Sequence, residues 1–377
     1  MAEMTAAMTG APRRLRGGAI GFGLLLAVAV AATGLFAGAR FGLMLAIGLG
    51  FGLVLEGLRF GFAGPWRAMI LRRDPAGILA QLLSMALVAV IAIPLLGDSA
   101  GELMGAQGQI GWAMVGGAFV FGAAMQVVLG CGSGTLVNAG SGNAVALAAL
   151  PTFALGSFFG AGHLAWWTSL GAFPPLVMKG AVGVAVTLAL LAAVAVLVLA
   201  RAAPGTRRLP GRLVLAAVLL AALAIANLLV AGQPWGVVYG LGLWAAKGAV
   251  ALGADLSGSG FWSLPVNADR LHASILTDYT SLTNIGLIAG AALIAISRTG
   301  GLDQPLPRLP ARAWVAALAS GLVLGYSSRL AFGCNVGALY SGIGTGSLHG
   351  WVWFVAGFAG SALGIRLRPL LGMEARA

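Results

Sequence analysis

Long apolar runs separated by short polar interruptions dominate the chain. Crossing a bilayer as a helix takes about 20 apolar residues. Runs of that order fall near residues 19–37, 40–57, 76–96, 110–129, 144–162, 176–200, 212–232, 236–254, 283–297, 312–330 and 349–365. Several are short or broken by glycine, so the pattern predicts about 9–11 membrane segments, some of them short or re-entrant. Arg13, Arg14 and Arg16 precede the first run. More apolar runs follow it and no clear small-residue cleavage site appears, so it reads as a first membrane helix rather than a cleaved leader. The expected fold class is an all-α polytopic membrane protein.

The polar interruptions sort by charge. Arginine gathers in the tail before 17 and in 58–75, 201–212, 298–312 and the tail after 365. Loops 97–109, with Asp98 and Glu102, and 163–175 carry no Lys or Arg. Basic loops stay on the cytoplasmic side, which places both termini there and the two Arg-free loops outside. The net charge of +12 would suggest nucleic acid in a soluble chain; here it follows from loop placement, and no nucleic-acid partner is expected. The organisation expected is a cytoplasmic tail over 1–18, a first membrane half over 19–200, a basic cytoplasmic loop over 201–212, a second half over 213–367 and a tail over 368–377.

The two halves share a motif. The stretch from Gly122 to Cys131 aligns with that from Gly325 to Cys334 at a constant offset, which also puts Gly134 on Gly337 and Leu136 on Leu339. Weaker echoes lie in 52–62 and 235–244. The segment pair around Cys131 starts and ends at outer loops, and the pair around Cys334 at inner ones. If both dip to the midplane, the two cysteine loops approach from opposite faces, as in an inverted repeat. Two full spans per pair would satisfy the same parity, with each cysteine exposed on the far side.

Composition narrows the function. Of 377 residues, 59% are hydrophobic and 8% charged, against about 25% charged in soluble domains. That leaves too little polar surface for a soluble enzyme and too much hydrophobicity for disorder. The 60 glycines follow no three-residue period, which excludes collagen. Close helix packing accounts for most of them. It does not account for 130–142 and 333–346, which are polar as well as glycine-rich and suit a cavity rather than lipid. Free N–H groups in such turns attract anions. The candidate binding residues are Gly130, Cys131, Gly132, Ser133 and Gly134 in the first loop, and Gly333, Cys334, Asn335 and Gly337 in the second. Cys131 and Cys334 are the only cysteines. A thiol, a weak donor with a polarisable sulfur, suits a sulfur-bearing solute. With no Cys-x-x-Cys or His/Cys cluster, no metal is expected; with no nucleotide-binding loop, neither is a cofactor.

Other charged groups are less specific. Lys247 and Arg329 are possible counter-charges for an anion, against an interfacial lysine and a structural ion pair. Glu56 and Arg59, three apart, are expected to pair. Asp255, Asp269, Arg270, His272 and Asp278 read as a solvated connection. His349 reads as a helix-end or packing residue, and His163 as interfacial beside Trp166 and Trp167.

At the two cysteine loops the sequence resembles the YeeE/YedE family of bacterial inner-membrane proteins. The clearest match is Phe332-Gly-Cys-Asn-Val-Gly-Ala-Leu-Tyr-Ser-Gly-Ile-Gly-Thr-Gly-Ser-Leu-His-Gly-Trp351. Gly130 to Leu136 is similar to the family's Gly-Cys-x-Ser-Gly-Thr-Leu segment, and Arg59 to Arg67 to its first repeat. The resemblance implies a non-enzymatic inner-membrane protein for uptake of thiosulfate or a related sulfur compound. It implies an hourglass-like helical fold, in which the anion's terminal sulfur passes between thiols through S–H···S contacts. That role falls on Cys131 and Cys334. Where members often place a further cysteine, this chain has Phe62; where they often have Tyr-Arg and Glu, it has Val137, Asn138 and Ser141. A soluble cytoplasmic sulfur-carrier or rhodanese-like partner is implied by the resemblance alone. From the residues themselves, a membrane thiol redox protein or sensor and a structural subunit of a membrane complex stay open.

Overall fold

The computed structural model describes residues 17–99, 101–299, 302 and 307–373. The tail residues Arg13, Arg14, Arg16 and Arg376 lie outside them. The helices in chain order are α1 (Gly17–Phe36), α2 (Ala39–Gly57), α3 (Ala63–Arg72), α4 (Ala76–Asp98), α5 (Trp112–Val128), α6 (Gly132–Gly140), α7 (Ala144–Ser169), α8 (Gly180–Ala200), α9 (Gly211–Ala231), α10 (Val238–Ala251), α11 (Pro265–His272), α12 (Tyr279–Thr299), α13 (Ala311–Leu330), α14 (Ser341–Gly344) and α15 (Leu348–Leu370). Among the described residues, 10 helical segments are long and apolar enough to cross a membrane, counting α5 with α6 and α13 with α14 as single broken segments. The protein is thus an all-α polytopic membrane protein. Its outer helices have a greasy surface: Leu24, Leu25 and Val28 of α1 and Val182, Val196 and Leu197 of α8 are all exposed. In lipid that surface costs nothing, and each helix satisfies its own backbone polar groups.

Helix packing shows the inversion. α5 lies beside α15, with Gly122 against Gly357, Phe119 against Gly360 and Ala123 against Gly364. α7 lies beside α13, with Gly156 against Leu322 and Tyr326, Gly160 against Arg329, and Gly325 against Phe153. Ala149, Phe153 and Gly160 of α7 meet Gly321, Gly325 and Arg329 of α13 in turn, and Phe119 and Ala123 of α5 meet Gly360 and Gly364 of α15, so each pair runs parallel. α5 and α13, the two helices that lead to the cysteines, run antiparallel: Gly117 meets Ser327 and Leu330, while Val127 clusters with Ala313 and Ala316. The leading helix of each repeat therefore packs against the trailing helix of the other.

The two faces are also distinguished. The Arg-free loops are joined by a two-residue antiparallel pairing, β1 (Ile110–Gly111) with β2 (Ala172–Phe173). On the opposite face, Ala203 N–H donates to Arg73 O at 3.0 Å and Arg298 donates to Glu56 at 2.6 Å. These contacts tie the basic segments together.

Three features depart from the pattern-based expectation. The basic stretch 58–75 contains α3, whose Trp66 is fully buried and donates to Gln81 at 3.1 Å. The apolar run at 236–254 yields only the 14-residue α10, about 21 Å long at 1.5 Å per residue and too short to span. Neither of the two parity alternatives describes the cysteine segments fully. α7 and α15 are long helices of 26 and 23 residues, and each cysteine sits at a break in the segment before them.

Candidate functional site

The two cysteine junctions are built alike. α5 ends at Val128, and Leu129 turns into the left-handed region at φ 54. Gly130 N–H then reaches back to Met125 O at 3.1 Å, closing the helix end. Cys131 is extended and caps α6, and Thr135 N–H donates to its carbonyl at 2.8 Å. In the second half, Phe332 has φ 57, Gly333 N–H donates to Ser328 O at 2.8 Å, and Ala338 N–H donates to Cys334 O at 2.9 Å. Each left-handed non-glycine residue costs about 1–2 kcal/mol. The same strain is held at the same repeat position in both halves, as is found where surrounding structure fixes a functional turn. Cys334 leads into a π-helical turn, Asn335–Tyr340, instead of an α-helix.

The junctions meet. Cys131 and Cys334 are buried and unlinked. The Cys131 sulfur accepts from Gly134 N–H at 3.4 Å and lies 3.4 Å from Ser133 Oγ. The Cys334 sulfur lies against Gly132 of the other loop. Gly132 is glycine for want of space: a Cβ there would stand 2.8 Å from Cys334 Sγ and 3.4 Å from a Val237 methyl. Among the candidate residues, the two loops thus meet in a constriction at Gly132 and Cys334; Gly130, Cys131, Ser133 and Gly134 line one cavity and Gly333, Cys334 and Gly337 another, with Asn335 in neither lining.

A cavity leads to each thiol. One, of about 210 Å³, is lined by Glu56, Arg59 and residues 60–65 together with Cys131, Ser133 and Gly134, and belongs to the Arg-rich face. The other, of about 260 Å³, is lined by Gln107, Val237, Tyr239, Phe261, Arg329, Cys334 and Gly337, among others, and belongs to the face of loops 97–109 and 163–175. Each pairs a cysteine junction with one of the weaker sequence echoes. The chain breaks before α3 and before α10 place Phe62 and Val237 in matching N-cap positions.

Aromatic rings pack around Tyr340, in the turn that follows Cys334. Tyr340 lies edge-on to both Phe62 and Trp235 at 6.0 Å, and Trp235 stacks on Phe51 at 3.9 Å. Ser84 fixes the Tyr340 hydroxyl at 2.7 Å. Tyr340 and Trp235 escaped the motif reading, although Tyr340 stands in the second motif and Trp235 opens an echo. Asn335 is wholly buried, and neither of its side-chain polar atoms has a partner.

The charged groups divide. Arg329 borders the cavity at Cys334, its guanidinium 4.6 Å from the Phe261 ring centre and 5.8 Å from that of Tyr239. Lys247 does not border either cysteine cavity. Its ammonium donates to Leu271 O at 2.8 Å and Ala273 O at 2.5 Å, so it holds a connection and does not serve as a counter-charge at the thiols. Glu56 pairs with Arg59 at 3.5 Å and more closely with Arg298 at 2.6 Å. Arg270 and Asp278 pair at 3.5 Å, so part of that connection is an ion pair. His349 is buried with Nδ1 2.7 Å from Ser347 Oγ, and His163 meets the Tyr326 hydroxyl at 3.0 Å. Among the described residues no group of three or more His, Cys, Asp or Glu could hold a metal.

Residues 58–363 match the model of a family described as sulphur transport. A curated relative, the probable transporter YedE of Salmonella typhimurium, is 28% identical over 141 residues, covering 37% of this chain and 34% of the relative. The probable transporter YedE of Escherichia coli is 27% identical over the same length and shares. The alignments span about a third of these relatives' length.

Proposed function

From the premise that this chain belongs to the sulphur-transport family, we propose that it carries thiosulfate or a related small sulfur-containing anion across the membrane, past Cys334 and then Cys131. One observation supports this reading above the others: two cavities of opposite faces end at two thiols that share one constriction. An anion cannot enter hydrocarbon unaided, because its desolvation is very costly. Backbone N–H groups at the starts of α6 and the π-helical turn, with the two thiols, replace its water in stages. The contacts are individually weak, which lets the ion leave as well as enter. No covalent bond forms or breaks, so the protein acts as a transporter and not an enzyme. With Phe62 at the family's further cysteine position, the passage uses two thiols. The basic face is the cytoplasmic one by the positive-inside rule, with both termini there, and transport is uptake in a bacterial inner membrane.

The meeting of the two cysteine junctions at Gly132 and Cys334 also suits a second reading, a thiol–disulfide couple. Uptake of labelled thiosulfate, sulfite, sulfate and sulfide into proteoliposomes under reducing conditions separates the two. The transport reading predicts saturable entry of thiosulfate with both thiols free. No entry of any of the four, together with reversible disulfide trapping, would support the couple instead.

A further inference from the structure

The two halves differ in charge at one repeat-related position. Counting back five residues from each cysteine gives Gln126 in the first half and Arg329 in the second. Gln126 is neutral, and its amide donates to Ala63 O at 3.0 Å. Arg329 is a full cation that borders the cavity at Cys334. Among the described residues no carboxylate pairs with it, and its Nε is sealed from solvent with no hydrogen-bond partner. Its neighbours are Phe261 and Tyr239. Tyr239 also carries Arg270 at 5.1 Å, but Arg270 is neutralised by Asp278. A guanidinium among rings, with an unpartnered Nε and no carboxylate beside it, has the chemistry to hold an anion. The opposite cavity also carries positive charge, but its cations share a carboxylate: Glu56 pairs with both Arg59 and Arg298.

We propose that Arg329 is the anion-binding residue of the vestibule at Cys334, gripping the oxygen-bearing end of a sulfur oxyanion. The inference rests on the transport reading for its ligand class, but its geometry does not depend on transport. The planar fork of arginine suits a tetrahedral oxyanion, whereas lysine offers only a point charge.

The test is calorimetric binding of thiosulfate, and of sulfate as the form without a terminal sulfur, to the purified full chain and to Arg329→Gln and Arg329→Lys. Binding to the wild type should weaken at least tenfold in Arg329→Gln, which installs the residue of the repeat mate, and severalfold in Arg329→Lys. Sulfate binding should weaken in parallel, because the oxygen end is what Arg329 holds. Should Arg329→Gln fail to fold, Arg329→Lys carries the test alone. Unchanged binding in the folded variants, or no binding to the wild type, overturns the proposal. Wild-type protein that binds thiosulfate through Arg329 yet moves none of it would defeat the transport reading and leave Arg329 as assigned.

Discussion

Asn335 concentrates the cost of the site in one side chain. It is wholly buried beside Cys334 with both amide atoms unpartnered, and each unmet buried group costs about 1–3 kcal/mol. Such a penalty persists where the groups serve a transient ligand. Asn335→Leu, similar in volume, is therefore expected to raise the thermal midpoint of the purified protein and to cut thiosulfate uptake at least tenfold. A lower midpoint with full uptake would mean that Asn335 is structural. The candidate residues at this scale were legible, because cysteines at a constant offset inside glycine-rich stretches mark themselves. Lys247 and Arg329 looked equivalent in one dimension. Only the fold shows that one ammonium is spent on the Leu271 and Ala273 carbonyls and that the other charge faces a thiol-bearing cavity.

Elements were read well where the bilayer dictates them and poorly where tertiary contacts do. A spanning helix must be a long apolar run, so α2, α4, α9 and α13 fall close to their expected ranges. α3 and α6 are short and rich in glycine or charge, and packing inside the bundle holds them. The parallel pairing of α5 with α15 and of α7 with α13 was likewise invisible, since glycine spacing reveals close approach but not the partner. Neighbouring glycines of α5 offer an internal control. A Cβ on Gly116 meets nothing within 4 Å, whereas one on Gly117 would stand 2.8 Å from Ser327 O and 2.9 Å from the Leu330 Cβ. Gly116→Ala should be neutral or stabilise by up to about 1 kcal/mol through helix propensity. Gly117→Ala should destabilise by about 1–3 kcal/mol, the usual cost of overpacking. Thermal melts of the two purified variants check this, and equal melting points would contradict the antiparallel packing of α5 on α13.

At the scale of the molecule, inversion turns one motif into two half-sites that face opposite ways. A small charged methanethiosulfonate applied to sealed vesicles should reach Cys334 only from the face of loops 97–109 and 163–175 and Cys131 only from the Arg-rich face, read on the single-cysteine variants Cys131→Ala and Cys334→Ala. Both thiols reacting from one face would refute the paired vestibules. The repeat itself was plain in the sequence, but parity allowed either a dip or two full spans; the broken segments at the cysteines came only with the fold. In the proposed function the anion passes by its sulfur between two thiols. The most direct measurement of that passage is the initial rate of labelled-thiosulfate entry into proteoliposomes for the wild type, Cys131→Ser and Cys334→Ser, at matched protein content. A hydroxyl keeps a donor in place but loses the polarisable sulfur, so each variant should fall at least tenfold. Wild-type rates in both would contradict it.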